Sequence, residues 1–337
     1  MTTVRPSSGP APTGGVVSTG GVVPTGGAVS TGGVVSTRDG MPSGAVPPTL
    51  RRSALSRGRR IADVALRVAV WLCLIVAVVP LALVVSFVVV RGLPQWTPEF
   101  FDFAGRLTTR YQAEGGSMAP AIVGTLLTTG VAALIAVPLG VLGAIYLNEY
   151  GRNSPLARLI RMMTDVMTGV PSIVMGLFVF LAFVLLIDEL NALAGALALA
   201  CLMLPVVIRS SEEMLRLVPD ELRQASLALG ARRWRTIVSV VLPASISGIM
   251  SGALLAIARA AGETAPVVLV MGVTRRVNWS LFGGNVSLPM QIYDNAQQPY
   301  AAAQARAWGA ALTLVLIVLV TTLVGRFIAA RFAIRER

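Results

Sequence analysis

The chain has 337 residues, a formal net charge of +12, and 55% hydrophobic but only 13% charged residues, at a mean hydropathy of +0.74. Soluble domains carry about 25% charged residues, so this balance indicates a membrane protein. All 28 basic residues are arginine and histidine is absent, which excludes a P-loop lysine, a Schiff-base lysine, a histidine general base and a histidine-ligated metal. If ATP drives this protein, another chain must hydrolyse it.

The first 50 residues have a low-complexity composition. The hexad TGGVVS recurs with small variations from Thr13 to Thr37, and Pro and Ser continue beyond it. A segment of this composition buries too little apolar surface to offset the entropy cost of folding, so we predict a disordered cytoplasmic tail over residues 1–60. A short β-solenoid is the alternative, but these few repeats give it little stacked core. Residues 61–337 are predicted to form the membrane domain.

Apolar segments occupy most of that domain. Each is long enough to cross a hydrocarbon core of about 30 Å as a helix of about 20 residues. Because backbone groups in lipid must be hydrogen-bonded internally, we predict an all-α protein with six transmembrane helices. The segments cover residues 68–90, 122–147, 166–187, 190–208, 243–271 and 307–325.

Arginines flank these segments on one side. They cluster in residues 51–67, 152–161, 209–235 and 326–337, whereas basic and acidic residues nearly balance in the opposite loops. The excess of positive charge on cytoplasmic loops therefore predicts that both termini are cytoplasmic. The arginines do not form a stripe with aromatic residues, so no nucleic-acid partner is predicted.

The cytoplasmic loop over residues 209–243 carries the most informative local pattern. Pro219 suits a first helical position, and Asp220 and Glu221 complement the positive end of the helix dipole. Gly230 suits a C-cap that turns the chain into a second short helix. Together these features predict a helix-turn-helix that either docks into another protein or lies on the bilayer. Its small, mostly apolar face consists of Leu222, Ala225, Ser226 and Leu229.

This loop resembles the EAA loop of ABC-importer permeases, a motif E-A-A-x-x-x-G followed by an apolar stretch that ends in L-P. Here Gln224 and Ser226 replace the Glu and the second Ala, so the carboxylate is lost while Gly230 and its spacing are kept. The resemblance implies a coupling helix, including Leu222, that inserts into a cleft of a cytoplasmic ABC ATPase dimer. The aligned residues are Gln224, Ala225, Ser226, Gly230, Leu242 and Pro243.

Further stretches resemble phosphate permeases of the PstA type, and the resemblance covers roughly residues 60–335. It implies a type I ABC-importer permease fold in the bacterial plasma membrane, import of inorganic phosphate, no cofactor and no enzymatic activity. The implied partners are the ATPase, a second related permease subunit in a heterodimer, an extracytoplasmic phosphate-binding protein and membrane lipid. The matching stretches are 124–128, 137–140, 144–150, 169–177 and 258–266, the last reading A-R-A-A-G-E-T-A-P.

Arg259 and Glu263 lie four residues apart inside the fifth segment, which places them on one helical face. An arginine at the centre of a bilayer costs about 2.5–3.5 kcal/mol, so it needs a partner or a water-filled cavity. The two residues form either a structural ion pair or a site at which the planar guanidinium binds an oxyanion in competition with Glu263. The resemblance favours the second alternative, since the family's functional arginine falls at Arg259.

Two neutral side chains are also predicted to lie on the translocation path. Thr264 adds a hydroxyl donor beside the charged pair, and Ser172 follows Pro171 in the third segment. Pro171 removes a backbone donor and predicts a kink that shapes the pore, with close helix packing through Gly169 as the alternative.

Other functions fit the sequence less well. An ABC permease for sulfate or molybdate is the nearest alternative, and an ion-driven secondary transporter would show paired broken helices in corresponding halves. The lack of His and Lys argues against an intramembrane enzyme. Cys73 and Cys201 lack C-x-x-C spacing, so they are predicted to be small buried hydrophobic residues and not metal ligands.

Overall fold

A computed structural model of the chain describes residues 57–107 and 116–332. Within these ranges the protein is helical, with one isolated bridge between Leu107 and Ser117. The described residues from Val68 onwards belong to one compact unit. The predicted tail lies, as far as residue 56, outside the described residues, and its boundary at residue 60 stays a prediction.

The first helix, α1, spans Arg57–Gly92 and contains the first predicted segment. Its apolar side chains, such as Trp71 and Phe87, are exposed, as expected for a helix that faces lipid. Cys73 on this helix is exposed too, so the prediction that both cysteines are buried is wrong for Cys73. A lipid-facing helix does not need to bury its apolar side chains against protein.

Three helices form the centre of the bundle. They are α2 (Ala119–Ile145), α6 (Ala192–Arg216) and α9 (Leu242–Ala261). Small side chains such as Ala136 and Ala198 let these helices approach closely in the main hydrophobic cluster. Helices α2 and α6 run parallel, because Thr128 lies beside Gly195 and Gly140 lies against Val207.

The third predicted helix is broken in two, so its prediction as one helix over residues 166–187 is wrong. Helix α3 (Pro155–Gly169) is followed by a bend of 110° and by α4 (Ser172–Val179), which continues through a π-helical turn into α5 (Leu185–Ile187). Pro171 lacks a backbone N–H, and Val170 before it adopts the extended conformation that proline favours. The predicted kink is therefore confirmed. Among the described residues of this chain, a Cβ at Gly169 would meet nothing within 4 Å, so the alternative of close packing through Gly169 finds no support within the chain.

The fifth predicted helix is also interrupted. Helix α9 ends at Ala261, and α10 spans Ala265–Val270. Pro266 cannot donate the i→i−4 hydrogen bond that would continue α9, so the prediction of one helix over residues 243–271 is wrong. Helix α10 packs closely on α4: a Cβ at Gly176 would lie 2.6 Å from Pro266 Cα, so only glycine fits there.

The remaining helices lie at the two ends of the bundle and along it. At one end α7 (Asp220–Ala228) and α8 (Arg233–Thr236) form the predicted helix-turn-helix, which is confirmed. At the other end α11 (Leu288–Ala296) packs with the start of α2 and with α12 (Ala301–Phe332) in a second apolar cluster. Among the described residues five helices are long and apolar enough to span a membrane, or six if the bent pair counts as one span.

Candidate functional site

A cavity of about 210 Å³ lies where the junction of α3 and α4 meets α6 and the end of α9. Pro205 forms part of its wall, and at 1.5 Å per residue it lies ~20 Å from the first residue of α6 and ~17 Å from the last. The cavity therefore lies about midway along α6. It is smaller than the roughly 300–1,000 Å³ typical of pockets for drug-sized ligands, which suits a small ion. Its polar lining residues are Thr168, Ser172, Arg259 and Glu263.

Arg259 lies in the last turn of α9, and its side chain is 73% exposed. Glu263 lies beyond the helix end, contrary to the prediction of one continuous helical face. The turn nevertheless keeps the two residues close, because the Glu263 N–H donates to the Ala260 carbonyl at 3.1 Å. Arg259 Nε is 3.6 Å from Glu263 Oε1, which is an ion pair but too long for a hydrogen bond.

The electrostatics of this cavity favour an anion. The N-terminus of α4 borders it at Ser172, where backbone N–H groups have no partner within the helix and the helix dipole is positive. The Arg259 guanidinium supplies the full positive charge, and Glu263 balances it only loosely. The Thr168 hydroxyl does not add a donor for the anion, because it donates to the Asp165 carbonyl at 2.7 Å.

The four predicted path residues do not all meet. Arg259, Glu263 and Ser172 line the same cavity, whereas Thr264 precedes α10 and is not among the lining residues. The role of Thr264 stays a prediction. Sequence reasoning missed the α6 wall around Pro205, which carries no signal other than apolar residues.

The predicted coupling residues occupy α7 and the turn that follows it. Leu222, Gln224 and Ala225 are exposed, whereas Ser226 is half-buried and its hydroxyl lies 2.9 Å from that of Thr236. Gly230 has a φ of +84° and ends the helix as predicted. Two hydrogen bonds close the turn in a Schellman arrangement, from the N–H of Gly230 to Leu227 O at 2.9 Å and from the N–H of Ala231 to Ser226 O at 3.2 Å.

A buried ion pair fastens this helix-turn-helix to the end of α2. Glu149 Oε1 accepts hydrogen bonds from Arg223 Nε at 3.2 Å and Nη2 at 3.0 Å, and both side chains are at most 10% exposed. From the sequence, the positions of Glu149 and Arg223 indicate only that both residues lie on the cytoplasmic side. The pair spans 74 positions, so no local pattern indicates it.

Comparisons with known proteins cover most of the chain. Residues 136–335 match the family described as binding-protein-dependent transport system inner membrane component. The chain is 46% identical over 264 residues to the phosphate transport system permease protein PstA of Mycobacterium leprae, across 76% of this chain and 86% of that protein. It is 36% identical over 249 residues to the protein of the same name in Haemophilus influenzae, across 74% of this chain and 84% of the relative.

Two solved structures share the fold. The inward-facing MetNI methionine ABC transporter has a TM-score of 0.50 at 20% identity, across 63% of this chain and 93% of that one. A bacterial ABC transporter involved in the import of the acidic polysaccharide alginate has a TM-score of 0.52 at 14% identity, across 81% and 99%. These similarities confirm the predicted all-α, type I ABC-importer permease fold.

The relatives identified by sequence are permease proteins, which confirms the prediction of a transport subunit that is not an enzyme. The family match covers the cavity and the helix-turn-helix alike, since both fall within residues 136–335. The chain therefore belongs to the inner membrane components of binding-protein-dependent transport systems.

Proposed function

We propose that this chain is the membrane-spanning permease subunit of an ATP-driven importer that carries inorganic phosphate into the cytoplasm. The observation that carries this proposal is the exposed guanidinium of Arg259 in a small cavity between the junction of α3 and α4, α6 and the end of α9. A charged group within an apolar membrane-spanning segment is costly without a functional reason. The names of the relatives, which are phosphate transport system permeases, support phosphate as the anion.

The geometry of the pair supports competition between phosphate and Glu263 for Arg259. A phosphate oxygen accepts charge-assisted hydrogen bonds at about 2.7–2.9 Å, shorter than the present separation from Glu263. Phosphate therefore displaces the weakly held Glu263 from Arg259, and the ion pair re-forms when phosphate leaves. A conduit needs this moderate affinity, because an ion that binds too tightly does not exit.

The other subunits follow from the family and from the exposed surfaces. The helix-turn-helix presents Leu222, Leu229 and Trp234 to solvent at 46%, 90% and 56% exposure. Apolar side chains exposed in this way favour docking into the cleft of a cytoplasmic ABC ATPase dimer over contact with water. A second, related permease covers the open side of the cavity, an extracytoplasmic binding protein delivers phosphate, and lipid surrounds α1. Both termini are cytoplasmic in this arrangement.

Reconstitution tests this function. The chain is incorporated into proteoliposomes with its second permease, the ATPase and the phosphate-binding protein, and uptake of labelled phosphate is measured with and without ATP. We expect uptake that requires ATP and is not reduced by excess sulfate or molybdate. Uptake driven by a proton or sodium gradient without ATP would contradict an ABC importer, and preferential uptake of sulfate or molybdate would replace phosphate as the substrate.

A further inference from the structure

Glu149 connects both helices of the helix-turn-helix to the end of α2. It lies in the π-helical turn Tyr146–Tyr150 that follows α2, and its carboxylate accepts hydrogen bonds from Arg223 on α7. Its backbone carbonyl accepts a hydrogen bond from Arg233 on α8, and the Arg233 guanidinium lies 5.4 Å from the centre of the Tyr150 ring. The adjacent residues Glu149 and Tyr150 therefore hold α7 and α8 independently.

Arg223 is equally fixed from its own side. Its guanidinium donates to the carbonyls of Val218 at 2.5 Å and Leu215 at 2.8 Å, and to Asp220 Oδ1 at 3.0 Å. Asn148 Nδ2 donates to the same Glu149 oxygen at 2.8 Å, which restricts the carboxylate as well. These contacts fix the orientation of both buried side chains, so the pair forms a well-defined connection between the turn after α2 and α7.

The connection continues from α2 to the cavity. Gly140 of α2 packs against Val207 of α6, next to Val206 in the cavity wall. The docking surface of the helix-turn-helix is separate from this connection, because Leu222 and Gln224 face outwards while Arg223 faces Glu149. Helix α8 already continues through a π-helical turn into α9, which carries Arg259, so the outer surface has a direct path to the cavity. Glu149 adds a second path, through α2 and the wall of α6.

We propose that Glu149 is a positioning residue of the transport cycle, which makes the helix-turn-helix and α2 move as one rigid unit. Through this unit the movement of the ATPase reaches the α6 wall of the cavity together with α9, which carries Arg259. The transport part of this inference rests on the proposed function, whereas the rigid connection does not. A structural role limited to local stability would leave the ratio of phosphate moved to ATP hydrolysed unchanged.

The rigid connection is tested by a distance measurement in the complete complex. Spin labels are placed at Asn153, just after the turn, and at Arg232, before α8, in a Cys73→Ser, Cys201→Ser background; both labelled positions are exposed. We expect one narrow distance distribution that stays the same with and without ATP. Glu149→Gln is expected to broaden it. A narrow, unchanged distribution in Glu149→Gln would overturn the proposal.

The matched control is Glu213→Gln. Glu213 is 60% exposed and lies 3.6 Å from Arg209 in an ion pair on α6, so the same chemical change is made without touching the helix-turn-helix. We expect the control to keep the narrow distribution. Equal broadening in the control would mean that any lost carboxylate at this end loosens the protein, and would overturn a specific role for Glu149.

The role in transport is tested by counting phosphate moved per ATP hydrolysed in proteoliposomes. Coupling between two sites commonly changes an equilibrium by about 5- to 150-fold. We therefore expect the ratio of phosphate moved to ATP hydrolysed to fall by at least about fivefold in Glu149→Gln and to stay unchanged in Glu213→Gln. Arg233→Met removes only the attachment of α8, and we expect a smaller fall in the ratio of phosphate moved to ATP hydrolysed. This variant serves as the test if the complex with Glu149→Gln does not assemble. An unchanged ratio in both Glu149→Gln and Arg233→Met would overturn the proposal.

The two experiments separate this inference from the proposed function. If the wild-type complex moves no phosphate, the proposed function fails, while the spin-label distances still decide whether Glu149 holds the unit together. If the wild type transports phosphate and Glu149→Gln keeps both its distance distribution and its transport ratio, only the positioning role is lost.

Discussion

Two arginine–glutamate pairs in this protein have the same chemistry and opposite surroundings. Arg259 is 73% exposed and lies 3.6 Å from Glu263, whereas Arg223 is 10% exposed and donates two hydrogen bonds to Glu149. A loosely held, exposed charge can exchange its partner for a ligand. A buried and fully hydrogen-bonded charge cannot, because removing its partner leaves an uncompensated charge in the interior. Surroundings, and not residue type, separate the binding arginine from the structural one.

The largest effect on stability is expected at the buried pair. Arg223→Met leaves the Glu149 carboxylate buried without its ion-pair partner, and breaking a buried pair in this way costs about 3–5 kcal/mol. Thermal unfolding in detergent should show a clear fall in midpoint, and Glu149→Leu combined with Arg223→Met should recover part of it. If Arg223→Met were as stable as the wild type, the buried pair would be no more important for stability than the exposed one.

The exposed pair should respond in transport and not in stability. Arg259→Ala removes the positive charge from the cavity, and charged clefts raise local ion concentration and association rates by about 10- to 1,000-fold. We expect ATP-dependent phosphate uptake to fall by about 100-fold while the complex still assembles. Arg158→Ala, which removes an exposed arginine of α3, is the matched control and should leave uptake unchanged.

The turn of the helix-turn-helix provides an intermediate effect. Gly230 has a φ of +84° and no neighbour within 4 Å of a Cβ, so Gly230→Ala is costly only through its backbone conformation. That cost is about 1–2 kcal/mol for a residue in the left-handed region. Thermal unfolding should therefore shift less than in Arg223→Met. Gly130→Ala, also in open space but inside α2, should not destabilise the protein.

The smallest expected effect concerns the competition at Arg259. An ion pair with one exposed partner is worth up to about 1 kcal/mol, so Glu263→Gln should tighten phosphate binding by about fivefold. Calorimetric titration of phosphate into the purified complex measures this change, and uptake at saturating phosphate should slow because release becomes harder. Weaker phosphate binding in Glu263→Gln would show that Glu263 assists binding and does not compete.

Hydropathy and motif spacing account for much of this architecture. Uninterrupted apolar runs predict most of the spanning helices, and the position of Gly230 predicts the turn between α7 and α8, because these features are local. The breaks after Gly169 and Ala261 are harder to predict, because a proline within an apolar run indicates a bend but not its angle. The angle at the first break is 110°.

The candidate site was predicted in part. Arg259 and Glu263 are only four residues apart in sequence, so they remain close in space although α9 ends between them. Ser172 reaches the same cavity through tertiary packing. The pair of Glu149 and Arg223 depends on how α2 and α7 pack, and charge counting therefore places both residues on the cytoplasmic side without indicating their contact.

The central claim, that a positive charge at position 259 carries phosphate across the membrane, has a direct test. Arg259→Cys is made in the Cys73→Ser, Cys201→Ser background and modified with either a cationic aminoethyl or a neutral methyl methanethiosulfonate reagent. We predict that uptake is lost in the cysteine variant and partly restored by the cationic reagent alone. Equal uptake with the neutral reagent, or full uptake before modification, would contradict the account.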